Sequence, residues 1–269
     1  MITRARGFTI LEQAVSLSVI ALVLGSIMVP LQTQIENRKV DETRRTVELA
    51  QELLLGFAAA NGYFPCPADN ASNGQEPAGT NHATGACPTY YGFLPAALLG
   101  FKPTDADGYA VDAWEGKANR LRYAVSDRTI AGVANVLTRA NGMRSAPLAS
   151  LGQGTHFHVC QSGTGATADD CGTSVTLASN AVVVVWSSGP NAATTGGTSV
   201  HEAQNPSARG GSADRVFVSR TASNTPGHEF DDIVTWLPVT ALLSRLVVAG
   251  QFTPAAQGAV SPPPAGAAK

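Results

Sequence analysis

The sequence predicts an α+β protein: a long N-terminal helix, its first half able to span a membrane, packed on a mainly antiparallel β head. An uncharged apolar run is followed by apolar residues at helical spacing, and beyond Tyr63 the pattern changes to short strand-like runs broken by Gly, Asn, Asp, Ser and Pro. At 269 residues the chain is long enough to bury a real core. Charged residues are only 14% of it, which argues against a charged disordered polymer or a coiled coil throughout. With 18 Lys and Arg against 20 Asp and Glu the net charge is -2, so no positive field gathers phosphates and no nucleic-acid partner is expected.

The first element is the apolar one. From Ala14 to Leu31 there are 18 residues without a charge, about 27 Å as a helix and close to a bilayer's hydrocarbon core of about 30 Å. Arg4 and Arg6 precede it, which favours a cytoplasmic N-terminus and an exported remainder. Glu12 opens the stretch, and its burial in lipid would cost about 3 kcal/mol or more, so it needs a partner. A cleaved secretory signal fits less well, because a carboxylate stands where the apolar region should begin and the helical pattern continues past it.

Beyond the apolar run, Val40, Thr43, Val47, Ala50, Leu54 and Phe57 recur at alternating steps of three and four, one seam of a helix that faces a partner. Arg38 with Glu42, Asp41 with Arg45 and Arg44 with Glu48 form opposite-charge pairs on its solvated faces. Asn61-Gly62 provides a left-handed stop and Pro65 forbids continuation, so the helix is expected from Phe8 to Ala60. Gly25 and Pro30 predict a bend or soft spot.

In the head, strands are expected at 121–125, 156–161, 181–187, 215–219 and 233–237, a helix at 240–249, and a weaker helical signal at 128–140. Cys66, Cys87, Cys160 and Cys171 all lie in the part expected to be exported, where disulfides form. Of three connectivities, Cys66 to Cys87 with Cys160 to Cys171 is favoured because both close local loops rich in Gly, Asn and Thr. His156 and His158 could begin a zinc site but lack a third ligand at a diagnostic spacing, and no nucleophile elbow or phosphate-binding loop is present. The chain does not read as an enzyme. Pro262-Pro263-Pro264 amid Ala and Gly reads as an extended or disordered tail.

The stretch Arg6-Gly7-Phe8-Thr9-Ile10-Leu11-Glu12, followed by apolar chain, closely resembles the processing site of type IV prepilins and type II secretion pseudopilins. The resemblance implies a pilin-like fold and cleavage by a prepilin peptidase between Gly7 and Phe8, N-methylation of Phe8, and an assembly role for Glu12. Ile10-Leu11 inverts the commoner order of that family, and Gln13-Ala14 is more polar than usual. Cleavage creates an amine at Phe8, and in a filament that amine could stand beside Glu12 of a neighbouring subunit, so that neither charge is left alone in low dielectric.

Farther on, Asp112-Ala113-Trp114 with Asn119 and Tyr123 resembles a stretch of the major pseudopilins, interrupted by Glu115-Gly116-Lys117-Ala118. Trp186-Ser187-Ser188-Gly189-Pro190-Asn191 and Glu229-Phe230-Asp231-Asp232-Ile233 similarly occupy the places of that family's turn and acidic calcium-binding loop. The implied ligands are Asp231 and Asp232, helped by Glu229 or Asp214, hard oxygen donors of the kind calcium takes.

The expected organisation is a cleaved leader at 1–7, a transmembrane and assembly helix at 8–31, its amphipathic continuation at 32–60, a pilin-like head at 61–253 and a tail at 254–269. The resemblance implies a single-pass protein of a bacterial inner membrane with its head in the periplasm, built into a pseudopilus or surface filament. Its partners would be other pilin or pseudopilin subunits, the prepilin peptidase, an inner-membrane assembly platform with its ATPase, and the lipid bilayer. The alternative of another class is a membrane-tethered extracytoplasmic binding or adhesion protein, which predicts monomers and no dependence on Glu12.

Overall fold

The structure is a computed structural model that describes residues 9–146, 148–153 and 156–250. The leader, Gly7, Phe8 and the Pro-rich tail lie outside the described residues. Helix α1 spans Ile10–Asn61 and runs unbroken through Gly25 and Pro30. Thr9 caps it, its Oγ1 accepting from the amide of Glu12 at 3.3 Å, and the helix ends where Gly62 takes φ 78° and donates to Ala58 O at 2.8 Å.

The two halves of α1 have different surroundings. In the proximal half the described side chains, those of residues 10–25 and 31–35, lie exposed, Ile10, Leu17 and Leu22 by 89%, 67% and 74%. In the distal half Thr43, Val47, Ala50 and Leu54 are buried as the seam predicts, with Ala58 buried at its end beside a half-buried Phe57. On the solvated face Arg44 pairs with Asp41 at 3.8 Å, three residues apart. Among the described residues, no helix is long and apolar enough to cross a membrane.

The head is one curled mixed sheet with α1 and a C-terminal helix packed on one face. Its elements are β1 (Tyr91–Phe93), α2 (Ala96–Leu99), β2 (Arg122–Val125), α3 (Gly142–Ser145), α4 (Leu148–Gln153), β3 (Phe157–Cys160), β4 (Thr176–Ser187), β5 (Val216–Val218), β6 (Ile233–Pro238) and α5 (Val239–Val248). Strand order is β1-β2-β4-β3-β5, with β6 also paired to β4. These pairings are antiparallel except β3 with β5, which is parallel, so the expected antiparallel head contains one parallel edge.

Strand β4 organises the core. Its run Ala181 to Trp186 is buried on both faces, which accounts for four consecutive valines where a half-exposed strand would alternate. Val183 and Val185 face the cluster containing Leu54, Tyr123 and Leu242, while Val184 and Trp186 face Phe157 and Phe217. Gln51 ties α1 to β6, its Nε2 donating to Trp236 O at 3.3 Å and its Oε1 accepting from Thr235 Oγ1 at 2.6 Å.

Residues 128–140 do not form the expected helix: Ala131, Gly132 and Asn135 take positive φ and the segment runs in turns. The disulfides join Cys66 to Cys87 and Cys160 to Cys171, each with Cα atoms 5.5 Å apart. Closing loops with sequence separations of 21 and 11 residues, each stabilises by about 3 kcal/mol in the chain-entropy model.

Candidate functional site

Strand β4 ends at Ser187, and the chain then turns sharply at Gly189 with φ 65°. A Cβ at Gly189 would lie 2.2 Å from Asp231 Oδ1, so the turn needs glycine both for its conformation and for the approach of that carboxylate. Three stretches far apart in sequence meet here. Asn119 Nδ2 donates to Gly189 O at 2.7 Å and to Asp112 Oδ2 at 3.1 Å, and Ser187 Oγ donates to the same Asp112 oxygen at 2.5 Å. Burial pushes the Asp112 carboxyl up, against the downward pull of the Ser187 and Asn119 hydrogen bonds.

Beside Gly189 lies a cradle of three carboxylates. Asp231 and Asp232 stand at the entrance to β6, and Glu202 lies in a short 3-10 turn, Glu202–Gln204, whose first amide donates to Ser199 Oγ at 3.1 Å. One carboxylate oxygen from each of Glu202, Asp231 and Asp232 lies within 4.8 Å of the others. Glu202 is well supplied with donors: Asn191 Nδ2 at 3.1 Å and Asp231 N at 3.2 Å on Oε1, and Gly197 N at 3.2 Å on Oε2. Asp232 Oδ2 accepts from Asn205 Nδ2 at 2.8 Å. Oδ1 of Asp231 and Oδ1 of Asp232 are both buried without a hydrogen-bond partner among the described residues.

Two carboxylates 4.8 Å apart repel by about 3–4 kcal/mol at an effective dielectric constant of about 20, so the trio does not hold three charges unaided. Burial, and then the Glu202 carboxylate, push Asp231 up to about 7, with Glu36 and Asp112 adding to the rise. Asp232 is raised well above the usual carboxylate range by burial, despite the Asn205 hydrogen bond, with Glu202 and Asp231 adding to it. Two orphaned buried oxygens plus a third carboxylate form a set of hard oxygen donors that fits a calcium-like cation.

Of the sequence-predicted ligands, Asp231 and Asp232 are brought together here. Glu229 is not in the trio; its backbone carbonyl accepts from Ser199 Oγ at 2.6 Å, and Glu202 supplies the third carboxylate instead. Asp214 lies elsewhere, its Oδ1 accepting from Val216 N at 2.9 Å and its backbone carbonyl from the Tyr91 hydroxyl. Sequence reasoning misses Glu202 because its distance from Asp231 and Asp232 along the chain follows no period or motif, and only the folding of the 189–205 loop brings it to them. The one local signal is that Glu202 is the sole acid in that stretch of small, turn-forming residues.

No protein-family model, curated protein or solved structure matches the chain.

The remaining candidates resolve differently. Glu12 is exposed on the first turn of α1. His156 is buried, with Nδ1 2.9 Å from Ser126 Oγ, and burial pushes it down to about 4, so it is a neutral core histidine. Cys66, Glu76 and His82 also cluster, but the Cys66 sulfur is held in a disulfide and Glu76 pairs with His82 at 2.9 Å. Trp186 is a core aromatic whose Nε1 donates to Pro206 O at 3.1 Å.

Proposed function

We propose that this chain is a structural subunit, a pseudopilin or minor pilin, that is trimmed between Gly7 and Phe8 and assembled from a bacterial inner membrane into a type II secretion or type IV pilus filament. It acts by packing, not by catalysis. The observation that carries the reading is the divided helix α1, whose distal half is buried on the head while its proximal half presents uncovered apolar side chains beginning beside Glu12. Such a surface is suited to lipid before assembly and to other copies of the helix afterwards. Further support comes from the stretches around Asp112, Trp186 and Asp231, each of which resembles a part of the pseudopilins and which converge on Gly189.

In this reading Glu202, Asp231 and Asp232 hold calcium. The ion would offset two of the trio's three negative charges and tie the 189–205 loop to the start of β6.

The deciding experiment is N-terminal sequencing and mass spectrometry of the chain purified from a host that expresses a prepilin peptidase. The expected terminus is N-methylated Phe8. A chain that keeps Met1, or one that begins well beyond Leu31, overturns the reading. Glu12→Ala should remain in the membrane fraction yet lose filament assembly. For calcium, the melting temperature should rise when the ion replaces chelator; at a hundredfold excess over Kd the gain is about 2.7 kcal/mol. A melting temperature indifferent to calcium removes the ion and leaves the filament reading standing.

A further inference from the structure

A groove of about 720 Å³ borders the loop that carries Ala192 and Ala193, and its lining includes Lys117, Arg120, Arg122 and Arg209. Two of these cations are already matched. Arg120 bonds Asp105 through Nε at 2.7 Å and Asp107 through Nη2 at 2.5 Å, and Lys117 reaches the same Asp107 oxygen at 3.0 Å. Arg122, two residues further along the chain, has no such carboxylate among the described residues. Its guanidinium lies 4.3 Å from the centroid of the Phe93 ring, and its Nε is buried without a hydrogen-bond partner among the described residues. Burial, and then the neighbouring Arg120 cation, push Arg122 down to about 10. Arg209 is exposed and donates to the Ala193 carbonyl, again without an ion pair among the described residues.

We propose that this groove binds the carboxylate side chains of an acidic peptide segment, with Arg122 and Arg209 as the groups that receive them. Arg120 with Asp105 and Asp107 shows within this chain how a guanidinium at this surface is satisfied by carboxylates, and Arg122 brings a second guanidinium to the groove with no carboxylate of its own among the described residues. Ala192, Ala193 and Ala208 line the groove with small side chains, which permits the close approach of a peptide backbone, and Asn70 and Ser207 add groups able to pair with peptide amides. An acidic sugar is disfavoured because sugars stack on open aromatic faces, and the Phe93 ring is buried beneath Arg122. The proposal does not depend on the filament reading.

The test is calorimetric titration of the full chain in detergent with capped triglutamate and capped triglutamine. Triglutamate should bind at least tenfold more tightly than triglutamine and should weaken as salt is raised. Arg122→Gln should reduce triglutamate binding at least tenfold, and Arg209→Gln should reduce it severalfold. Arg209 is exposed, so its variant tests the site even if Arg122→Gln perturbs the fold. Equal binding of the two peptides, no binding of either, or wild-type binding by either variant overturns the proposal. Tighter binding of an oligouronate or of inorganic phosphate than of triglutamate overturns its peptide assignment.

Discussion

The two halves of α1 belong to one continuous helix and meet different surroundings. From Val47 onward the buried apolar residues Val47, Ala50, Leu54 and Ala58 form one seam that meets β4, β6 and α5, while Leu49 on another face stays exposed. Before Glu36 the apolar residues are distributed around the helix, and those described, at 10–24, 31 and 35, are exposed. Glu36 marks the junction, because its Oε1 accepts from Trp114 Nε1 at 2.9 Å, a contact between α1 and the loop that carries Asp112. A seam serves one partner; an apolar surface all round serves a medium or many neighbours.

Substitutions on the two sides of that junction should therefore differ. The largest effect is expected from Leu54→Ala, which empties a fully buried position and should cost about 2–5 kcal/mol in denaturant unfolding of the head. A cost below about 1 kcal/mol would mean that the distal half is not part of the core. Replacing Cys66 and Cys87 together by Ser should cost about 3 kcal/mol by the same measurement, because the bridge restrains the chain just after the helix. Thr43→Val should cost about 1–3 kcal/mol, since Thr43 Oγ1 accepts from Ala113 N at 3.2 Å and the substitution strands that amide.

The acidic cradle adds a pH test. Asp231 is raised to about 7 in the fold against an ordinary value near 4, so the folded state binds the proton more tightly and this residue's contribution to stability falls as pH rises through that window. In chelator, Asp231→Asn should lose that part of the pH dependence between about pH 4 and 7, measured as the difference in melting temperature from the parent chain. An unchanged difference across the window would show that Asp231 titrates normally. The smallest effect is expected from Leu17→Ala, which should shift head stability by less than about 0.5 kcal/mol because Leu17 lies exposed on the uncovered half of the helix.

Much of the helix is legible in the sequence. Its seam at Thr43, Val47, Ala50 and Leu54 and its stop at Asn61-Gly62 are local patterns, and the structure contains both. The strand around Val182 to Val185 is legible as a short apolar run, but the extension of β4 back to Thr176 is not, because residues 176–180 are largely exposed and carry no apolar alternation. Strand β1, only three residues long, is hidden for a related reason: pairing with β2 defines it, not composition. Residues 128–140 have a helical look on paper and fold as turns because Ala131, Gly132 and Asn135 adopt left-handed conformations. At the candidate site, Asp231 and Asp232 are legible as adjacent acids, whereas Glu229, equally close in sequence, is carried away from them by the local backbone.

By itself the sequence determined what neighbours along the chain can settle: the helix and its stop, the apolar run behind Glu12, and the local disulfide loops. These depend on backbone geometry and on short separations, where spacing is information. Tertiary structure alone decided that Glu202 joins Asp231 and Asp232, that β5 lies parallel to β3, and that Arg122, unlike Arg120, has no carboxylate partner among the described residues. Each of those depends on which distant segments share a space, and burial there changes the charge a side chain can carry.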